Sequence, residues 1–460
     1  MRLKLLFLSI VSCLLFAACN KEEEFTFDPT VKLDFSTDSV LFDTVFTAVG
    51  STSRQVKIFN NNLKAINITN IKLYGGSASP FSINVSGQAT TDAYDIKLNG
   101  KDSINVFVKV NINPTTQQLP FIVQDSILFF FNGKKQSIPL VAYGQNAIFI
   151  NGETIQSNTT WDSELPYIVY KSVTVAENAK LTITPGVKVL FHGNATMSVK
   201  GTLVANGTLK DSILFSGDRL ERIYNDESGQ WNGLHFYGSS KNSILNYAVV
   251  KNAIAGITVD SLSVNSDPKL ILSNSIIKNM QVVGFLGYHT QLAAFNNLFY
   301  NCGQYLLYGI GGGSYDLKQN TFGAYNFNFP RKTPAVYLSD YISNTEFAGL
   351  NTAIVNNIIW GSLEEEFLIE KKSTAISQHD IRSNLIKTKL LTYTGNGNIL
   401  NLDPEFINPR QGIFTTYSNS PVINKGVNLT TDPFYPSILS KDLKNNNRLF
   451  PSELGSYENN

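Results

Sequence analysis

One short pattern constrains this chain more than any other feature. A polar residue, often Asn, precedes two apolar β-formers, and another polar or small residue follows. Copies read Tyr247-Ala248-Val249-Val250-Lys251-Asn252, Asn274-Ser275-Ile276-Ile277-Lys278-Asn279, Asn296-Asn297-Leu298-Phe299-Tyr300-Asn301, Gln319-Asn320-Thr321-Phe322-Gly323, Asn356-Asn357-Ile358-Ile359-Trp360-Gly361 and Ser383-Asn384-Leu385-Ile386-Lys387. Positions 249, 276, 298, 321, 358 and 385 are separated by 27, 22, 23, 37 and 27 residues. Periods of this length mark stacked-repeat architectures. One such unit cannot bury its own apolar residues, so it must stack on a neighbour at the roughly 4.8 Å strand spacing and share an interior column. The spacing predicts one coil of a parallel β-helix per copy, with a longer loop between Phe322 and Ile358. Asparagines recurring at one turn predict a ladder that satisfies the exposed backbone of the bend. Glycine is expected to supply positive-φ turns at Gly201, Gly207, Gly256, Gly284 and Gly311. No sustained i, i+3, i+4 apolar stripe supports a helix.

The first half has a different period. From about Phe25 to Gly144 the chain alternates as a half-buried antiparallel sheet does. Ile104, Val106, Val108, Val110 and Ile112 share one parity, and Asn105, Lys109 and Asn111 the other. Segments 55–59, 65–73, 126–131 and 138–143 read as further short strands between turn-rich pieces such as Asn60-Asn61-Asn62. Roughly seven strands over about 120 residues predict a β-sandwich. The resulting fold class is all-β: a β-sandwich over 25–146, then a parallel β-helix over 147–460; the family resemblances given below imply that the sandwich is immunoglobulin-like and the β-helix right-handed with a C-terminal cap.

Composition narrows the function classes. The 460 residues are 43% hydrophobic and 16% charged, too apolar for a disordered chain. Lys plus Arg is 37 and Asp plus Glu is 36, a net charge of +1, so no basic field exists to hold a nucleic-acid backbone. Nucleic acid is therefore not an expected partner.

Residues 1–18 combine the cations Arg2 and Lys4 with the apolar run Leu5 to Ala18, too short to span a bilayer, and read as a secretory signal peptide. Leu15-Phe16-Ala17-Ala18-Cys19 resembles the lipobox of bacterial lipoproteins, which implies Cys19 as the lipid-attachment residue and residues 19–24 as a lipidated tether. Lys21, Glu22, Glu23 and Glu24 resemble the acidic export signal of lipoproteins displayed on the cell exterior. The implied location is the outer membrane, lipid-anchored and facing outward. Cys302 is left without an intramolecular disulfide partner and is expected to be a small buried apolar residue.

The stretch from Lys180 to Phe191, with Met197 to Thr208 and Ile213-Leu214-Phe215, resembles the first coils of right-handed β-helices of the pectin-lyase-like superfamily. Asp403-Pro404-Glu405-Phe406, Ser420-Pro421-Val422-Ile423-Asn424 and Gly455-Ser456-Tyr457-Glu458 resemble the terminal pattern of surface proteins in that group. The N-terminal half resembles the cysteine-free immunoglobulin-like modules of bacterial surface proteins.

No residue set demands chemistry. His192, His235, His289 and His379 share no metal-ligand spacing, and HExxH, GxSxG, CxxC and phosphate-loop motifs are all missing from the sequence. No catalytic residue, metal or cofactor is assigned. Asp218 to Glu227, closed by Trp231, is the densest polar constellation. It reads either as a sugar site with Asp226 and Glu227 as acid and base, or, preferentially, as a loop pinned by its own ion pairs. Glu364-Glu365-Glu366 reads as a solvated acidic face. Tyr305, Tyr308, Tyr315, Phe322, Tyr325, Phe327 and Phe329 form an aromatic stretch that would stack either inside the column or on sugar faces. Asp226, Glu227, Trp231, Tyr325 and Phe327 are the candidate ligand-binding residues. The resulting expectation is a non-catalytic, surface-exposed scaffold or binding lipoprotein for a polysaccharide or an envelope protein. The alternative is a polysaccharide lyase or glycoside hydrolase on the β-helix.

Overall fold

A computed structural model describes residues 24–459 except 117–119 and 163. Cys19, Lys21, Glu22 and Glu23 lie outside the described residues. The chain divides into two compact units, 1–146 and 147–460.

Within the first unit, two five-stranded sheets enclose one apolar core. Arg54–Phe59, Ser103–Val110 and Phe81–Val85 are the centre of one sheet; Lys134–Gln145, Phe121–Phe131 and Ile66–Leu73 are the centre of the other. Among the described strands of this unit every pairing is antiparallel except that of Val40–Phe46 with Lys134–Gln145, and an isolated Phe25–Ala65 bridge is also parallel. Val106, Val108 and Val110 point inward and are at most 1% exposed, as the alternation requires. The described residues hold ten strands where about seven are expected. The surplus includes the short pieces Asp34–Phe35 and Gln88–Thr90, too brief to leave an alternating pattern.

The second unit is a parallel solenoid. Eleven strands stack in one sheet, and a sixteen-stranded sheet carries the other two faces of the coils. Val283–Phe295 and Tyr305–Lys318 run through both of its stacks and join them. The repeat copies occupy neighbouring strands in matching register: Val249 pairs with Ile276, then Leu298, Thr321, Ile358 and Leu385. One position later, Val250, Ile277, Phe299, Phe322, Ile359 and Ile386 form the interior column, each 0% exposed.

The asparagine ladder lies one residue before the paired positions. The Oδ1 atoms of Asn297, Asn320, Asn357, Asn384 and Asn398 accept the main-chain N–H of the preceding coil at 2.8–3.0 Å. Their amides donate to the carbonyls of Leu272, Ala294, Leu317, Ile354 and Ile381 at 2.7–3.0 Å. Each turn thus carries its own buried hydrogen-bond partners, where water cannot serve.

The glycine expectation needs correction. Of the five named, only Gly311 has positive φ. The left-handed corners are instead taken by the first residue of each repeat, Tyr247, Asn274, Asn296, Gln319, Asn356 and Ser383, with φ of 46–59°. Asn tolerates this region better than most residues because its short side chain bonds locally. Gly201, Gly207, Gly256 and Gly284 are required by close approach. A Cβ on Gly201 would lie 2.2 Å from the carbonyl oxygens of Ala176 and Ala179, and one on Gly284 would lie 2.5 Å from that of Leu306.

Glu366 is a further correction. It is 0% exposed, paired with buried Arg331 at 2.7 Å, and accepts the N–H groups of Leu363 and Ala335. Burial outweighs the guanidinium and raises its pKa. Cys302 is buried, which pushes its thiol up to about 12.

Candidate functional site

The chain beyond residue 400 returns along the outside of the eleven-stranded sheet. Phe406, Phe414, Val422, Leu443 and Leu454 cluster with Leu298, Ile358 and Leu385, side chains that point away from the interior column. Gly323 makes this docking feasible, because a Cβ there would lie 2.1 Å from the ring of Phe414.

A cleft of about 180 Å³ opens where this return segment meets the coils, lined by Asp226, Lys278, Tyr300, Tyr325, Phe327, Arg410 and their neighbours. Three candidates, Asp226, Tyr325 and Phe327, converge here. The volume is below the roughly 300–1,000 Å³ of pockets that engulf a ligand, so this groove suits the edge of a larger molecule.

Asp226 rides on a loop fixed from several sides. Arg219 donates to both oxygens of Glu221 at 3.0–3.2 Å and stacks 3.9 Å above the Tyr224 ring. Gln230 donates to the carbonyls of Tyr224 and Glu227, and Lys251 to that of Asn225. The loop is therefore pinned by its own contacts and still presents Asp226, whose side chain is 61% exposed. Its carboxylate accepts from Asn279 at 2.9 Å and from Lys278 at 3.4 Å.

Lys278 and Tyr300 are register partners on adjacent strands, and Lys278 Nζ lies 5.7 Å from the Tyr300 ring centre. Burial works against the Lys278 charge, but the Tyr300 phenol and the Asp226 carboxylate outweigh it and raise its pKa. Burial raises the Tyr300 phenol despite Lys278. Tyr325 is raised as well, by burial and then by the charge of Asp403. The Tyr325 and Phe327 rings are parallel within 1° at 5.2 Å, Phe327 is 39% exposed, and Arg410 lies 4.8 Å over its ring.

The other candidates lie elsewhere. Trp231 is corrected outright: it is 0% exposed, stacked on Phe191 at 4.1 Å, with its indole N–H donating to the Lys251 carbonyl. A ring filling the coil interior has no face to offer a ligand. Glu227 is exposed outside the cleft lining, which leaves Asp226 as the one carboxylate among the lining residues. His192 and His235 pair with Asp218 and Asp260 at 2.7 and 2.8 Å, and His289 and His379 meet Gly311 and Thr352. Among the described residues, no three His, Cys, Asp or Glu side chains group as metal ligands, and no helix is long and apolar enough to cross a membrane.

Lys278, Tyr300 and Arg410 were not among the candidates. Stacking the repeat copies would have found the first two, since they share the position after the paired apolar residues. Nothing local marks Arg410.

A family model described as a right-handed β-helix region matches residues 140–322. No curated protein matches the chain. Among solved structures it is similar to a family 123 glycoside hydrolase from Clostridium perfringens, with 9% identity over 27% of this chain and 30% of that chain, at a TM-score of 0.19. It is also similar to the E. coli chaperone DraB, with 12% identity over 25% of this chain and 56% of that one, at 0.17. A PapD-like domain of human CEP192 shows 13% identity over 28% of this chain and 94% of its own length, at 0.18. The chain thus spans less than a third of the hydrolase. Matching family model and parallel coils agree that the second unit contains a right-handed β-helix.

Proposed function

We propose that this protein is a non-catalytic binding lipoprotein of the outer membrane, displayed outward, that holds a glycan in the cleft around Asp226. The lipid on Cys19 would anchor a chain whose first unit is an immunoglobulin-like sandwich and whose second is the β-helix. The convergence of Asp226, Tyr325 and Phe327 with Lys278 and Arg410 carries the reading. The part-exposed Phe327 ring, stacked on Tyr325 with Arg410 over it, would offer its free apolar surface to the C–H groups of a pyranose, while Asp226 accepts from hydroxyls and the two cations donate to ring and hydroxyl oxygens. A hydrolase would need a second carboxyl group roughly 5–9.5 Å from the first. The lining residues supply Asp226 alone.

The test is a glycan array probed with residues 20–460, followed by a reducing-end assay on every glycan retained. Retention without product formation is expected, and Phe327→Ala should abolish it. Cleavage of any retained polysaccharide overturns the non-catalytic reading.

A further inference from the structure

We propose that a second carbohydrate surface lies on the outer face of the sixteen-stranded sheet, where Tyr305, Tyr308 and Tyr337 form a stacking platform for an uncharged linear glycan running across the coils. It goes beyond the cleft reading and shares none of its residues.

The register builds the platform. Leu286, Tyr308, Tyr337 and Leu368 are successive partners on stacked strands, and Tyr305 pairs with Val283 in the same strands. Earlier coils place Ser198, His235 and Thr258 in this column, so the aromatic cluster is local. Ring centres of Tyr305 and Tyr308 are 4.3 Å apart and parallel within 8°; those of Tyr308 and Tyr337 are 5.4 Å apart. The three rings pack on one another and each is half-buried, so part of their apolar surface meets solvent.

Two polar groups flank the rings. Glu370 Oε2 accepts the hydroxyl of Tyr337 at 2.7 Å and also that of Tyr341. These bonds fix the Tyr337 ring before any ligand arrives, which lowers the ordering cost of binding. Glu370 Oε1 has no partner among the described residues and remains an acceptor. Lys372, 3.8 Å over the Tyr341 ring, supplies donors. Rings with an acceptor and a donor at one margin match a pyranose, which has apolar C–H faces and hydroxyls around its rim. Glu370 and Lys372 balance in charge, so the surface favours a neutral chain over an anionic or cationic one. Rings stand on two successive coils, Tyr305 and Tyr308 on one and Tyr337 on the next, at the roughly 4.8 Å spacing of stacked strands, which is comparable to one sugar unit of an extended chain.

The experiment is calorimetric titration of residues 20–460 with β-1,4-linked hexaoses of glucose, xylose, mannose and N-acetylglucosamine. Wild type is compared with Tyr308→Ala, Tyr337→Phe and the cleft variant Phe327→Ala, after matching thermal melts. At least one hexaose should bind, and Tyr308→Ala should weaken it about tenfold or more, the scale of one lost stacking partner. Tyr337→Phe, which keeps the ring and removes one of the two hydroxyls bonded to Glu370, should weaken it less. Full affinity in Tyr308→Ala with loss in Phe327→Ala overturns the platform and leaves the cleft reading standing. The reverse result sinks the cleft and supports the platform. Binding of none of the four hexaoses, or self-association that Tyr308→Ala abolishes, also overturns the proposal.

Discussion

Asn357 Oδ1 accepts the main-chain N–H of Asn320 at 2.8 Å and its side-chain amide at 3.0 Å, joining two coils whose residues are 37 apart in sequence. Asn357 in turn donates to the Leu317 carbonyl and to Asn384, and is 0% exposed. Replacing it with Leu leaves a buried N–H and a buried carbonyl unpartnered. Asn357→Leu should lose about 3 kcal/mol in chemical denaturation, since each stranded buried group costs ~1–3 kcal/mol. Asn344→Leu, at an exposed position, should change stability little.

Gly201 and Asn194 separate the two roles that a turn residue can have. Gly201→Ala drives a Cβ to within 2.2 Å of two carbonyl oxygens of the adjacent coil, and should cost about 2 kcal/mol or more. Asn194 is exposed with φ of 66°, so Asn194→Gly should stay within about 0.5 kcal/mol of wild type. Thermal melts of both variants check the contrast.

These two positions also explain what could be read in advance. A register of stacked coils follows from spacing alone, which is why 249, 276, 298, 321, 358 and 385 fall on paired strands. A contact between Gly201 and the carbonyl of a neighbouring coil leaves no local sequence trace, and so glycine was misread as the corner residue. Trp231 shows the same blindness: one dimension cannot say whether a ring faces the interior or solvent. Arg410 reaches the cleft only because the terminal segment folds back over the sheet, which required knowing that Gly323 clears space for Phe414.

The hydroxyl of Tyr315 is buried without a hydrogen-bond partner among the described residues, in space left by Gly287 and Gly309. Tyr315→Phe removes the unsatisfied oxygen and keeps the ring. The variant should be as stable as wild type or more stable by up to ~1 kcal/mol, whereas Tyr315→Ala should lose ~3–5 kcal/mol through the cavity it opens. Urea titration of the three proteins decides.

Glu370 provides a pH test. The hydroxyls of Tyr341 and Tyr337 hold its carboxyl below the ordinary 4.5. A carboxyl depressed in the folded state adds stability above its unfolded pKa and loses that contribution as pH falls through the folded value. Wild type should therefore melt above Glu370→Gln at pH 7, and the gap should close below pH 4.5. A gap that widens in acid would reverse the sign of the assignment.

Hydrogen exchange of residues 20–460, measured with and without a saturating retained oligosaccharide, most directly probes whether the Asp226 cleft is where a sugar sits. Slowed exchange is predicted at 278–279, 300–301, 323–328 and 409–412, with the oligosaccharide recovered intact. Unchanged exchange in all four segments at saturation, or recovery of shortened products, would contradict the account.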